Sequence, residues 1–249
     1  MTMLPTAVTK PLRRDGFTFK HFFVAHDRCA MKVGTDGVLL GAWAPLIEAG
    51  RALDIGTGSG LVALMLAQRM HGAIPIDAIE LDSDACRQAR DNFTASPWAM
   101  SLCAVEDDIC AYAGRTSRRY QAIVSNPPYF DAGPACATPA RARARYTQSL
   151  SHQALLTAAT ALLDKDGTLA LILPYAAGEA LIARALAQGW WLQRRTDVSD
   201  RAELRPHRLL LALTRRPVAL IHDTLTLRDP TGEGSPAFRT LAGDFYLAF

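Results

Sequence analysis

The stretch Ala52-Leu53-Asp54-Ile55-Gly56-Thr57-Gly58-Ser59-Gly60-Leu61-Val62-Ala63-Leu64-Met65-Leu66 decides the fold. A strand-sized run leads straight into a glycine-rich loop, and the loop leads straight into an apolar helical pattern. In open α/β sheets such a junction sits at the carboxyl end of the first strand, where ligands bind. Glycine lets the backbone turn sharply and approach a ligand that a Cβ would keep away. The spacing excludes two common phosphate loops. Dinucleotide sites use G-x-G-x-x-G, whereas here the third glycine comes one residue early and Leu61 stands where the last would be. No Gly-Lys-Ser/Thr follows, so the loop is not a P-loop either.

Outward from this junction, apolar strand-like runs at 76–80, 102–105, 122–125 and 168–173 alternate with helical patterns at 60–70, 84–96, 151–163 and 178–188. Such alternation predicts a Rossmann-like α/β fold, a mostly parallel seven-stranded sheet with helices on both faces. Gly189 offers a C-cap to the last of these helices, and 190–198, 207–215 and 220–228 read as further strands. Residues 1–14 lack hydrophobic periodicity and form a basic tail ending in Arg13-Arg14. Residues 15–249 are expected to make one domain, with 15–50 as a preamble or cap. No repeat or linker divides them.

The 249 residues are 49% hydrophobic, with 27 Lys+Arg against 24 Asp+Glu, which excludes a disordered chain. No apolar run approaches the ~18 residues of a membrane span, and no export signal precedes the fold, so the expected compartment is the cytoplasm. Five cysteines without a C-x-x-C pair argue against a disulfide framework or zinc site; they are expected to be reduced and mainly core, with no metal bound. Arginine supplies 23 of the 27 basic residues, a composition that suits phosphate contacts and also follows from GC-rich coding.

An acidic Asp54 inside the glycine loop would repel a pyrophosphate, yet it can accept hydrogen bonds from the amino-acid end of a cationic cofactor. A sulfonium cofactor fits better than a dinucleotide. Glu80 ends the next strand about 20 residues past the loop, where a carboxylate accepts ribose hydroxyls. The cluster Glu106-Asp107-Asp108 ends the third strand; Asp108 is preferred over Asp107 for the adenine amino group, because Ile109 then supplies the apolar wall.

The fourth strand ends in Ser125-Asn126-Pro127-Pro128-Tyr129. Consecutive prolines fix the backbone and remove two donors, leaving a rigid acceptor site. The Asn126 oxygen and Pro127 carbonyl can accept the hydrogens of an amino group conjugated to a planar ring, drawing its lone pair toward a methyl donor. Tyr129 offers a face for that ring. An amine attacking as a neutral nucleophile needs no strong base.

Together these motifs resemble the class I S-adenosylmethionine-dependent methyltransferases, in particular the branch acting on adenine N6, cytosine N4 or glutamine N5. A narrower match rests on Arg13-Arg14-Asp15-Gly16-Phe17-Thr18-Phe19-Lys20, on the run from Phe22 to Gly37, on Arg145-Tyr146 and on Pro206-His207-Arg208. From Arg13 onward the chain is similar to the bacterial tRNA adenine-N6 methyltransferases that modify adenosine 37, 3′ of the anticodon of a valine tRNA. The resemblance implies S-adenosyl-L-methionine as cofactor, held by Asp54, Gly56, Gly58, Gly60, Glu80, Asp108, Ile109 and Asn126, with Lys32, Thr35 and Asp36 closing over it. It also implies Asn126, Pro127, Pro128 and Tyr129 at the target amine, and tRNA as partner.

Arg13, Arg14, Lys20, Arg28, Arg141, Arg143, Arg145 and Arg208 are candidates for a phosphate-binding rim, a monomer being favoured. The phenylalanines at 17, 19, 22 and 23 are expected in core rather than against bases. A glutamine-N5 protein methyltransferase and a non-catalytic RNA-binding or cofactor-sensing module stand as alternatives. The first usually carries a helical substrate domain, where this chain has about fifty basic and aromatic residues before its loop. The second has no use for acceptors aimed at an amine.

Overall fold

Side-chain alternation along buried strands organises the architecture. The computed structural model describes residues 15–127 and 150–248. In β3 (Ala52–Ile55), Ala52 joins one hydrophobic cluster while Leu53 and Ile55 join a second on the opposite face of the sheet. The same division recurs in β6 (Tyr120–Ser125), with Ala122 and Val124 on one face and Ile123 on the other. Strands buried on both faces read as continuous apolar runs and require helices on each side.

The main sheet also contains β4 (Ile76–Glu80), β5 (Leu102–Glu106), β7 (Leu163–Pro174), β8 (Trp191–Ser199), β9 (Arg208–Thr214) and β10 (Ile221–Thr226). Their order is β10-β8-β9-β7-β6-β3-β4-β5. Only β9 runs against the others, pairing antiparallel with β7 and β8. Eight strands replace the expected seven, because β10 adds in parallel to the outer edge of β8, where Leu225 is buried in the core. The strand order reverses at β3: its successor β4 lies on one side and β6 on the other. Such a switch point leaves a crevice beyond the carboxyl ends of the two central strands.

Helices α1 (Thr35–Trp43), α2 (Leu61–Arg69), α3 (Ser83–Thr94) and α7 (Pro236–Ala242) cover one face. The other carries α4 (Ile109–Arg115), α5 (His152–Leu162) and α6 (Tyr175–Ala187). Helix α2 is buried from Leu61 to Ala67 and has almost no polar face, as a helix wedged between sheet and other helices should. Trp43 ties α1 to β8 through Nε1–H donating to Thr196 Oγ1 at 2.8 Å. Gly189 has φ +77°, the left-handed conformation expected of a residue that ends α6.

A two-stranded hairpin, β1 (Gly16–Thr18) with β2 (Phe23–Ala25), precedes the sheet. Phe19 and Phe22 are buried and stacked at 4.7 Å, and Phe22 meets Trp98 edge-on at 5.8 Å. Phe17 packs on Tyr246 at 5.9 Å, and Lys20 N–H donates to the Phe245 carbonyl at 2.8 Å. The hairpin aromatics therefore serve packing. The cysteines depart from expectation: Cys86 is buried, Cys29 is half-buried, and Cys103 and Cys110 are exposed, on edge strand β5 and in the first turn of α4. Cys136 lies outside the described residues.

Candidate functional site

The glycine loop between β3 and α2 is shaped by three left-handed residues, with φ +70° at Gly56, +56° at Gly58 and +84° at Gly60. Two of them show different constraints. A Cβ on Gly60 would lie 2.4 Å from the Phe93 ring, so this glycine is required by packing against α3. A Cβ on Gly58 would meet nothing within 4 Å. Gly58 thus keeps open space at the carboxyl edge of the sheet, and its N–H donates to Glu80 Oε2 at 2.8 Å. The second Glu80 oxygen accepts from Asp82 N–H at 3.0 Å.

Over this loop lies a cavity of about 510 Å³. It is lined by Lys32, Thr35, Asp36, Asp54, Gly56, Gly58 and Asn126, residues from three separate parts of the sequence that were expected to act together. Gly60, Glu80, Asp108 and Ile109 lie outside its lining. Gly60 faces Phe93, and Glu80 holds the loop from the adjoining strand end. Asp108 caps α4, its Oδ1 accepting from Cys110 and Ala111 N–H at 2.9 Å each, while Ile109 is buried in the core. The neighbouring Asp107 is committed to the Arg115 guanidinium.

Asp54 is 1% exposed, and its Oδ2 accepts from Thr57 Oγ1 at 2.6 Å. Burial pushes its carboxyl up to about 7, against the lowering effect of hydrogen bonds from Thr57 and the Ala63 N–H, with the Glu80 charge adding to the rise. A carboxylate held at such cost favours a cation brought into the cavity. On the neighbouring strand, Asn126 continues β6, and its Oδ1 is buried without a hydrogen-bond partner among the described residues. An orphaned buried acceptor is rare and marks a place for a donor. Pro127 beside it is buried, whereas Pro128 and Tyr129 lie outside the described residues.

The third wall comes from the turn after β2 and the start of α1, closed by an ion pair of Arg208 Nε with Asp36 at 2.9 Å. This contact joins the amino ends of α1 and β9, so Arg208 braces the wall. Asp200, His207 and Leu227 also line the cavity and were not assigned to it from sequence; they follow β8, precede β9 and follow β10, at the same edge of the sheet. Of the proposed rim, Lys20 Nζ donates to the Gly243 carbonyl at 2.6 Å, and Arg28 pairs with Asp91 at 2.7 Å. Arg13, Arg14, Arg141, Arg143 and Arg145 lie outside the described residues. Among those described, no group of three or more His, Cys, Asp or Glu is placed to hold a metal ion, and no helix is long and apolar enough to cross a membrane.

Residues 33–186 match the family model for the methyltransferase small domain. The chain is 54% identical over 237 residues to the tRNA1(Val) (adenine(37)-N6)-methyltransferase of Cronobacter sakazakii, covering 95% of this chain and 97% of that protein. It is 52% identical to the enzyme of the same name from Erwinia tasmaniensis, covering 95% and 96%. Among solved structures, a predicted O-methyltransferase from Agrobacterium tumefaciens superposes with a TM-score of 0.65 at 18% identity, covering 86% of this chain and 98% of that one. A glycopeptide N-methyltransferase complexed with S-adenosyl-L-methionine superposes at 0.53 with 12% identity, covering 73% and 95%. At these identities the two structures establish the shared fold.

Proposed function

Because the chain belongs to the methyltransferase small-domain family, and within it to the tRNA1(Val) (adenine(37)-N6)-methyltransferases, we propose that it methylates the N6 amino group of adenosine 37 in a valine tRNA. The observation that carries the chemistry is the buried, unpartnered Oδ1 of Asn126 in the lining of the same cavity as Asp54. S-adenosyl-L-methionine supplies a methyl group activated by a sulfonium charge. The residues present fit such a group. Asp54 would hold the amino-acid ammonium directly or through water, and the open face of Gly58 would admit the body of the cofactor. Glu80 uses one lone pair on each oxygen within the protein, leaving others for ribose hydroxyls.

Asn126 Oδ1 and the Pro127 carbonyl accept the N6 hydrogens of an adenine splayed from its loop, and Tyr129 stacks on the ring. These contacts localise the nitrogen lone pair and aim it along the line of transfer. With the amine so held, the bound cofactor would supply the methyl group to N6, and the extra proton on N6 would leave to solvent. No strong base is required. Residues Asn126 to Tyr129 therefore work by orientation, and the arginines following them in sequence supply phosphate contacts.

Transfer of labelled methyl from S-adenosylmethionine to bulk tRNA, followed by nucleoside analysis, tests the proposal. N6-methyladenosine at position 37 of a valine tRNA is the expected product. Labelled protein glutamine with unlabelled tRNA overturns it in favour of the protein-directed alternative.

A further inference from the structure

Helix α3 buries two amides among its apolar residues. Gln88 is 1% exposed and Asn92 4%, on the same stripe as Ala85, Ala89 and Phe93. A buried amide persists only when its groups are satisfied. Asn92 achieves this by reaching two separate elements. Its Nδ2 donates to the Ser59 carbonyl in the glycine loop at 2.8 Å and to the Ala25 carbonyl in β2 at 2.8 Å. Its Oδ1 accepts from Ala25 N–H at 3.0 Å. Gln88 adds a parallel tie one turn earlier, its Oε1 accepting from Arg28 N–H at 3.2 Å.

Beyond Ala25 the chain turns at His26, whose Nδ1 accepts from Val33 N–H at 3.1 Å, and then forms the cavity wall from Met31 to Gly37. One side chain thus stands between the loop below the cavity and the segment that becomes its wall. We propose that Asn92 is a positioning residue for the cofactor site: it registers the N-terminal hairpin against the glycine loop, so that cofactor binding and ordering of the hairpin are coupled. It rests on the reading of this cavity as the cofactor site. The argument is one of populations. When floor and wall are free to move apart, only a fraction of molecules presents the assembled site, and apparent affinity falls by that fraction.

Asn92→Leu keeps similar bulk and removes all three hydrogen bonds. With wild-type protein as reference, the Kd and KM for S-adenosylmethionine should rise at least about tenfold, with kcat at saturating cofactor within about threefold. Leu162→Ala, a cavity on the opposite face of the sheet, controls for destabilisation alone and should leave the cofactor KM unchanged. A folded Asn92→Leu protein with unaltered cofactor Kd overturns the inference. Should that variant fail to fold, hydrogen exchange on the wild type decides. Added S-adenosylmethionine should slow exchange at the Ala25 and Val33 amides at least about tenfold, and unchanged exchange at both overturns the coupling. Wild-type protein that binds no S-adenosylmethionine overturns instead the reading of the cavity.

Discussion

Raising the pH through the range around neutrality should tighten S-adenosylmethionine binding, and the size of the effect follows from Asp54. In the free protein, burial holds this carboxyl at about 7. One unit below that value about a tenth of molecules carry the charge, and one unit above about nine-tenths do, so affinity for a cationic ligand changes about tenfold across the span. Below neutrality, binding must also release a proton, because the ammonium draws the carboxyl back toward its ordinary range. Calorimetry across this span, in two buffers of different ionisation enthalpy, reads both quantities. Asp54→Asn should flatten the profile and weaken binding by the ~1.5–3 kcal/mol of a charge-assisted hydrogen bond. The free protein should show the opposite trend in stability. Between the ordinary carboxyl value of 3.8 and about 7, the folded state binds a proton that the unfolded state has lost, so stability falls as pH rises. An affinity independent of pH, with no buffer-dependent heat, would refute the placement of the ammonium at Asp54.

Asn126→Ala should lower the single-turnover rate on saturating tRNA by about 10²–10³ while leaving cofactor Kd within about twofold; a near wild-type rate removes Asn126 from the reaction. Tyr129→Ala should weaken tRNA capture as well as turnover, through lost stacking, which titration at fixed cofactor measures. Gly60→Ala should cost more stability than Gly58→Ala, since both incur ~1–2 kcal/mol of left-handed strain but only the first displaces Phe93; equal urea midpoints contradict this. Neutralising Arg141, Arg143 and Arg145 together should weaken tRNA binding and flatten its dependence on salt, with cofactor affinity unchanged.

The glycine loop under the cavity was legible because its signals are local: a strand, a fixed glycine spacing and an acidic residue within one short stretch. Asn126 was legible for the same reason, since two prolines following a strand end have a restricted set of conformations. Helix α1 was not resolved as a helix. It is buried from Gly37 to Trp43 and so lacks the polar face on which periodicity depends. Helix α4 escaped because seven residues make too short a window, although Asp108 carries its N-cap signal. Asp108 was read only as an adenine acceptor, and its capping of α4 went unread because both uses place a carboxylate at the end of a strand. Asn92 left a trace, an amide on an apolar helical stripe, but nothing in sequence says which backbone groups 67 and 33 residues away it will bind.

The closure of the hairpin against the C-terminal segment has a consequence for synthesis. Lys20 N–H donates to the Phe245 carbonyl, and Phe17 rests on Tyr246, so an early element waits for a segment made far later in the chain. Contacts of such long separation form late, after the sheet between them has been made. Until then Phe19 lacks the cover that Tyr246 gives it. A release-arrested chain ending before Phe245 should accordingly be more protease-sensitive around Phe17 to Phe22 than the finished protein, even with its glycine loop complete.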